Sequence, residues 1–249
     1  MSLSIFGNAS ALAPYCSAAF IGAGGTPPYT YSVQGGGAGG TIDPSSGIYT
    51  APGFLGNAVV AADDTIIVTD SLSATASLSV TIEIPLLLLC DIIASEMGLD
   101  PTQVYLYNQK YNIPIDDKLY IAIGIEKTKV FGNGISYSGD SNPNSALSAN
   151  QSVNVMASLS VNILSRTIEA LNRKEELVAA LTSVYSLSQQ NTNNFHIGKV
   201  PKDIQNLSEI DGDAIPYRFH FSINMQYVYL KSDNTASFND LSFTTLVKP

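Results

Sequence analysis

Adjacent carboxylates occur at Asp63-Asp64 and at Asp116-Asp117, and such pairs are one means by which enzymes separate a general acid from a general base. That division of labour needs a cleft and two unlike environments to split the pKa values. Adjacent acidic residues on turns face water instead, and both pairs read as solvated turns. Asp211-Gly212-Asp213, preceded by Glu209, has the composition of a calcium loop but lacks its twelve-residue ligand spacing, so a hairpin-entry turn is the simpler reading. His196 and His220 stand in no partner motif, and His220 alternates onto the polar face of a strand beside Arg218. Cys16 and Cys90 lie far apart, with no CxxC spacing and no neighbouring His, which gives neither a zinc site nor a disulfide framework. They read as small buried hydrophobes, with a mutual disulfide and a reactive thiol as lesser alternatives.

No P-loop, no GxGxxG after a strand, no HExxH and no GxSxG occurs. The glycine-rich run Gly35 to Gly40 lacks the Lys and the following helix that a phosphate cradle requires, and predicts a turn. Tyr105, Tyr107, Tyr111, Tyr120, Tyr137, Tyr217, Tyr227 and Tyr229 suit core and subunit-interface packing better than carbohydrate stacking. Arg166, Arg173 and Lys174 form a small basic cluster at a helix start, read as a solvated face ahead of an anion site. The sequence therefore predicts no catalytic residue, no metal ligand, no cofactor-binding residue and no cofactor.

Charge distribution narrows the function further. All 12 Lys and Arg and both His lie at or beyond Lys110, and the net charge is −9. An acidic chain with no cations in its first part does not wrap nucleic acid, which needs neutralising charge along the phosphates. Only 13% of residues are charged while 45% are hydrophobic. A surface so poor in charge suits a protein that faces other protein. The start of the chain lacks the basic n-region and unbroken apolar core of a secretion signal. The strongest apolar run, Ile82 to Ile93, is broken by Glu83, Pro85 and Asp91 and falls well short of the roughly 20 residues of a membrane span.

The elements that would carry these residues divide at about residue 84. Up to that point, Gly and Pro turns separate short β-type segments at 29–33, 47–50, 58–61, 65–69 and 74–84. In the last, Ala76, Leu78, Val80 and Ile82 alternate with polar residues, and the set predicts a β-sandwich. Residues 85–98 predict a short, mostly buried helix between Pro85 and Gly98. Three alternating runs predict long strands at 119–126, 153–164 and 217–230. The later two exceed the usual strand of about 5–6 residues. An amphipathic helix is predicted from Thr167 to Leu187, burying Ile168, Leu171, Val178, Leu181 and Val184 or Tyr185. Polar loops at 132–150 and 189–213 exceed passive connectors and predict interaction arms, and the tail 231–249 predicts a segment that orders against a neighbour. The fold class is thus an all-β sandwich (1–84) followed by an α+β domain (85–249), with a mainly antiparallel sheet, one long amphipathic helix and one short buried helix.

Two resemblances attach to particular strings. Gly24-Gly25-Thr26-Pro27-Pro28-Tyr29-Thr30-Tyr31-Ser32-Val33, Gly40-Thr41-Ile42-Asp43, Gly47-Ile48-Tyr49-Thr50-Ala51-Pro52 and Val68-Thr69-Asp70-Ser71 with Ala74-Thr75-Ala76-Ser77 resemble bacterial and phage Ig-like domains. That likeness implies an Ig sandwich without the antibody-type disulfide, and no particular activity. Ser152 to Val155, Ile163 to Arg166, Arg173 to Leu181, Phe195-His196-Ile197, Leu207-Ser208-Glu209 and Ile215 to Phe219 resemble the tail-terminator and neck-ring proteins of long-tailed bacteriophages. The second resemblance implies a structural virion protein assembled in the host cytoplasm. It would form a homo-oligomeric ring of six subunits on the tail tube and dock to the head connector, with the sheath as a further neighbour. DNA would pass its acidic lumen without specific binding. A glycan- or protein-binding adhesin built on the Ig-like module is the alternative, together with a tube, sheath-associated or head-completion protein.

Overall fold

Short strands between glycine and proline turns build the first part of the chain: β1 (Ser4–Gly7), β2 (Ala11–Leu12), β3 (Ser17–Ala23), β4 (Thr30–Val33), β5 (Thr41–Ile42), β6 (Ile48–Thr50), β7 (Ala62–Thr69) and β8 (Thr75–Ile82). The computed structural model describes residues 2–35, 37–52, 62–107, 114, 116–138, 147–199, 203–208 and 217–235, with backbone alone for 137–138, 147–150 and 231–235. The strands form two four-stranded sheets, ordered β1-β3-β6-β5 and β2-β8-β7-β4. Hydrogen bonds link the sheets through side chains: the Gly22 N–H donates to the Tyr31 hydroxyl (2.9 Å), and the Tyr49 hydroxyl donates to Asp64 (2.6 Å). Phe20 meets Tyr49 edge to face at 6.1 Å between them. Gly47 holds a left-handed φ of 69°, and its carbonyl accepts from the Phe20 N–H; a side chain there would strike the Phe20 carbonyl.

Strand β3 has no counterpart among the sequence expectations. Its inward positions are Ala18, Phe20 and Gly22, so the period of two is present but mostly spelled in residues too small to register as hydrophobic. The segment expected at 58–61 lies outside the described residues. Asp63 and Asp64 belong to β7, which corrects their assignment to a turn.

The second part begins with α1 (Pro85–Met97), which starts on its proline and stops at Gly98, whose φ of 61° lets its N–H reach the carbonyls of the last turn. Eight of its side chains are buried, Leu89 and Ile93 completely. After one 3-10 turn come β9 (Val104–Tyr107), β10 (Tyr120–Ser138), β11 (Leu147–Ser165), α2 (Glu169–Leu181), α3 (Val184–Thr192), β12 (Phe195–Ile197), β13 (Gln205–Asn206) and β14 (Tyr217–Thr235). They form one six-stranded sheet, β12-β14-β11-β10-β9, with β13 also on β14 and only β9 parallel to its neighbour. The described chain is therefore mostly β-sheet with three helices. Its apolar core runs without a break from Ile5 to Met225 across the β8–α1 junction. Among the described residues no helix is long and apolar enough to cross a membrane.

Four sequence expectations need correction. The loop expected at 132–150 is largely strand, since β10 continues to Ser138 in register with β11 back to Ser148. Backbone pairing needs no apolar face, so polar residues run on in a ribbon where hydropathy alone signals a loop. The loop expected at 189–213 contains the end of α3 and strands β12 and β13, and β14 carries on through the first residues of the expected tail to Thr235. The single helix expected at 167–187 is two. Ser183 caps the second, accepting from the Ser186 N–H at 2.9 Å, while the Thr182 hydroxyl turns back to the Val178 and Ala179 carbonyls.

The packing of both helices against the sheet also changes which residues are buried. Ile168, Leu171, Tyr185 and Leu187 are exposed, and Val184 is 86% exposed; Leu181 alone of the expected set is fully covered. The buried side of α3 is Ser186, Gln189 and Gln190. They are satisfied by a chain of bonds: Ser186 to the Leu181 carbonyl, Gln190 to Ser186, and the Ile197 N–H to Gln190. Asn193 extends it by accepting from the Ala13 N–H at 2.7 Å, which fastens the first part of the chain to the second.

Candidate functional site

Burial and bonding decide what the sequence's candidate groups can do. Asp64 is 1% exposed and accepts from the Gly40 N–H (2.7 Å), the Gly39 N–H (3.2 Å) and the Tyr49 hydroxyl, so the glycine-rich run cradles the chain's own carboxylate. Desolvation and the facing carboxylate hold the Tyr49 phenol far above its ordinary range. Asp63 accepts from the Thr81 hydroxyl, and Asp116 accepts from the Tyr120 hydroxyl and the Lys118 N–H. Glu209, Asp211 and Asp213 lie outside the described residues. His196 sits exposed on β12 and His220 half-buried on β14, where their registers fall opposite Gln226 and Gln205. Six positions of β14 separate those registers, about 20 Å, so the imidazoles do not meet.

Cys16 and Cys90 are both buried free thiols. Burial pushes Cys16 up, with a smaller opposing effect from the Asn194 amide, and pushes Cys90 to about 12, which disfavours the nucleophilic thiolate at neutral pH. In the basic cluster, Arg173 bonds to Glu169, Glu176 and the Met97 carbonyl, which ties α2 to the end of α1. Lys174 pairs with Glu175 and lies 5.5 Å from the Phe219 ring centre. Arg166 stands apart, its Nε buried and, among the described residues, without a hydrogen-bond partner. Tyr105, Tyr107 and Tyr120 pack with Ala122 and Leu164. Tyr111 and the Tyr137 side chain lie outside the described residues. No group of three or more potential metal ligands converges among the described residues.

One titratable cluster escaped the sequence reading. The Glu83 carboxyl is pushed up to about 8 from 4.5, first by desolvation, then by the Asp91 carboxyl as hydrogen-bond partner and as charge, and last by Asp63. Glu83 Oε2 is buried and, among the described residues, has no hydrogen-bond partner. With its pKa raised, Glu83 binds its proton more tightly in the folded state than in the unfolded chain. Its stabilisation is complete below pH 4.5 and is lost as pH rises toward 8. Melting temperature is expected to fall across that window, and Glu83→Gln to flatten the fall and raise stability at pH 8. Parallel melting curves for the two proteins at all pH values would refute the assignment.

A groove of about 660 Å³ lies between the two parts of the chain. Ala13, Pro14 and Cys16 line it from the first part, Pro85 and Leu86 from the start of α1, and Phe195 and His196 from β12. Five consecutive residues of β14, Gln226 to Leu230, complete the wall. Successive side chains of a strand point to opposite faces, so five in a row line one groove only where it runs along the strand's edge. Among the described residues no Asp, Glu, Lys or Arg lines it. Its chemistry is that of a binding surface for uncharged chain.

Above the groove rises the ribbon made by the outer halves of β10, β11 and β14. The face that is core at Ile123, Val161 and Phe221 continues in register through Val130, Val155 and Tyr227 to Ile135 and Gln151. Val130 and Ile135 are 59% and 58% exposed. Register shifts after Ile125 and after Val130 insert Glu126 and Phe131 as extra residues, and the second shift turns Phe131 to the groove. The sequence signal for this surface was the length of the alternating runs.

No protein-family model matches the chain, and no curated protein does. Among solved structures, a protocadherin gammaB7 EC3-6 cis-dimer is similar over 63% of this chain and 47% of that chain, at 12% identity and a TM-score of 0.25. The match thus spans less than half of that chain, and a superposition this loose carries no argument about fold or activity.

Proposed function

We propose that this chain is a structural protein of a bacteriophage tail or neck, and that it closes on copies of itself into a ring, of six subunits, at the end of the tail tube. In this reading residues 1–84 are an Ig-like β-sandwich carried as an outer decoration, and residues 85–249 are the ring-forming domain. The head connector and the tube are its neighbours, and the chain acts without catalysis.

The observation that carries the proposal is the ribbon. Three strands of 19 residues each outrun their own core and hold an apolar face toward solvent. Isolated ribbons are marginal in water, and a face of this kind is stable where another subunit covers it. A heterologous contact of ribbon against neighbour closes into a ring when its rotation closes. The absence of cations from the first 109 residues suits a particle that DNA traverses without sticking. Native mass spectrometry of the recombinant chain is expected to give a closed multimer of about six subunits, and antibody labelling of virions to mark the neck. A chain that stays single at high concentration overturns the reading.

One observation favours an adhesin. Phe6 and Ile21 are paired on β1 and β3, and both point outward with Ile48, making an exposed apolar patch on the first sheet. Binding of a host glycan or surface protein that is lost on Phe6→Ser with Ile21→Ser would decide for that reading.

A further inference from the structure

The open edge of β14 is where the ring reading above becomes specific. Even-numbered residues of β14 turn their main-chain groups away from β11: the Arg218 carbonyl accepts from Leu207 at 2.8 Å, and the Asn224 carbonyl from Gly198 at 2.6 Å. Strand β13 covers this row at residues 219–220 and β12 at 225–227. From Val228 onward no described strand covers it. Val228, Leu230, Ser232 and Asn234 therefore present a row of N–H and C=O groups in line with β12; the row starts in the groove at Val228 and Leu230 and continues beyond it.

We infer that this edge receives a strand from a second copy of the chain, supplied by residues 236–249. The chemistry of the segment fits. Leu241-Ser242-Phe243-Thr244-Thr245-Leu246-Val247 puts Leu241, Phe243 and Val247 on one face of an extended strand, is rich in β-forming residues and carries no charge, which suits the groove. Its point of departure fits as well. Strand β14 ends at Thr235, about 23 Å beyond Val228 at the ribbon's outer end, and residues 236–249 are attached at that point. At full extension they reach roughly 45 Å, enough to cross to the groove of an adjoining subunit. Pairing there adds main-chain hydrogen bonds to the neighbour's sheet, while side chains on one face of the strand settle against Pro14, Leu86 and Phe195.

The inference rests on ring formation, and amide hydrogen exchange separates the two. In the assembled full-length protein, the amides of Val228, Leu230, Ser232 and Asn234 are expected to exchange at least about tenfold more slowly than in the single-chain form made by Val130→Lys with Ile135→Lys. Full-length Phe243→Pro, which removes a ladder donor from the segment alone, is expected to restore fast exchange at those four amides in the assembled state. Protection that persists in the single chain means that the segment folds onto its own strand, and protection that survives Phe243→Pro means a different occupant; either overturns the inference. A ring with fast exchange at all four overturns it and leaves the ring reading standing, whereas failure to assemble at all removes both.

Discussion

Asp64→Ala is expected to cost about 3 kcal/mol of folding stability, a large part of the roughly 5–15 kcal/mol that holds a domain together. The carboxyl group is almost fully covered and lies in a stretch with no cation, and among the described residues its hydrogen-bond donors are the Gly39 and Gly40 N–H groups and the Tyr49 hydroxyl. Truncation leaves the buried Tyr49 hydroxyl without its acceptor and strands the Gly39 and Gly40 N–H groups, each a desolvated polar group with nothing to bond. Asp64→Asn keeps one acceptor oxygen but turns an amide donor toward donors, and is expected to lose about half as much. Tyr49→Phe removes one donor and leaves the backbone pair in place, for about 1 kcal/mol. Urea unfolding measures all three. An Asp64→Ala midpoint within experimental error of the parent, at unchanged m-value, is incompatible with this account.

Val130→Lys with Ile135→Lys is expected to abolish the ring outright while leaving the fold intact. Both positions are more than half exposed in the single chain, so their effect on its stability should stay within about 0.5 kcal/mol per site. In a ring each subunit would bury both ammonium groups against a neighbour, at an effective cost of several kcal/mol per ion, repeated at every interface. Sedimentation and native mass spectrometry should therefore report one subunit where the parent gives a closed multimer, with melting temperatures alike. A multimer that survives both substitutions shows that the ribbon's apolar face is not the contact. The exposed side of α2 and α3, with Ile168, Val184 and Leu187, would then be the next surface to alter.

Sequence alone determined the features that depend on neighbours along the chain. Pro85 and Gly98 bracketed α1 because a proline suits a helix's first turn and a glycine its left-handed stop. Period-two alternation marked the core halves of β10, β11 and β14, and burial follows it most cleanly in β14, where Phe219, Phe221, Ile223 and Met225 are buried while Ser222 and Asn224 are exposed. Tertiary structure decided what depends on residues distant in the chain. Asp64 looked like a wet turn residue because Gly39, Gly40 and Tyr49, which make its burial tolerable, reach it through strand pairing. Ile168, Leu171 and Val184 looked like core because periodicity reports which residues share a face. The packing of α2 and α3 against the sheet set which face that is, and the buried side of α3 went to Ser186, Gln189 and Gln190 once partners from Leu181 and Ile197 satisfied them. The continuation of β10 beyond Glu126 went unread for a related reason: its backbone bonds to β11 hold it, and no local hydropathy pattern encodes which strand lies across the ladder.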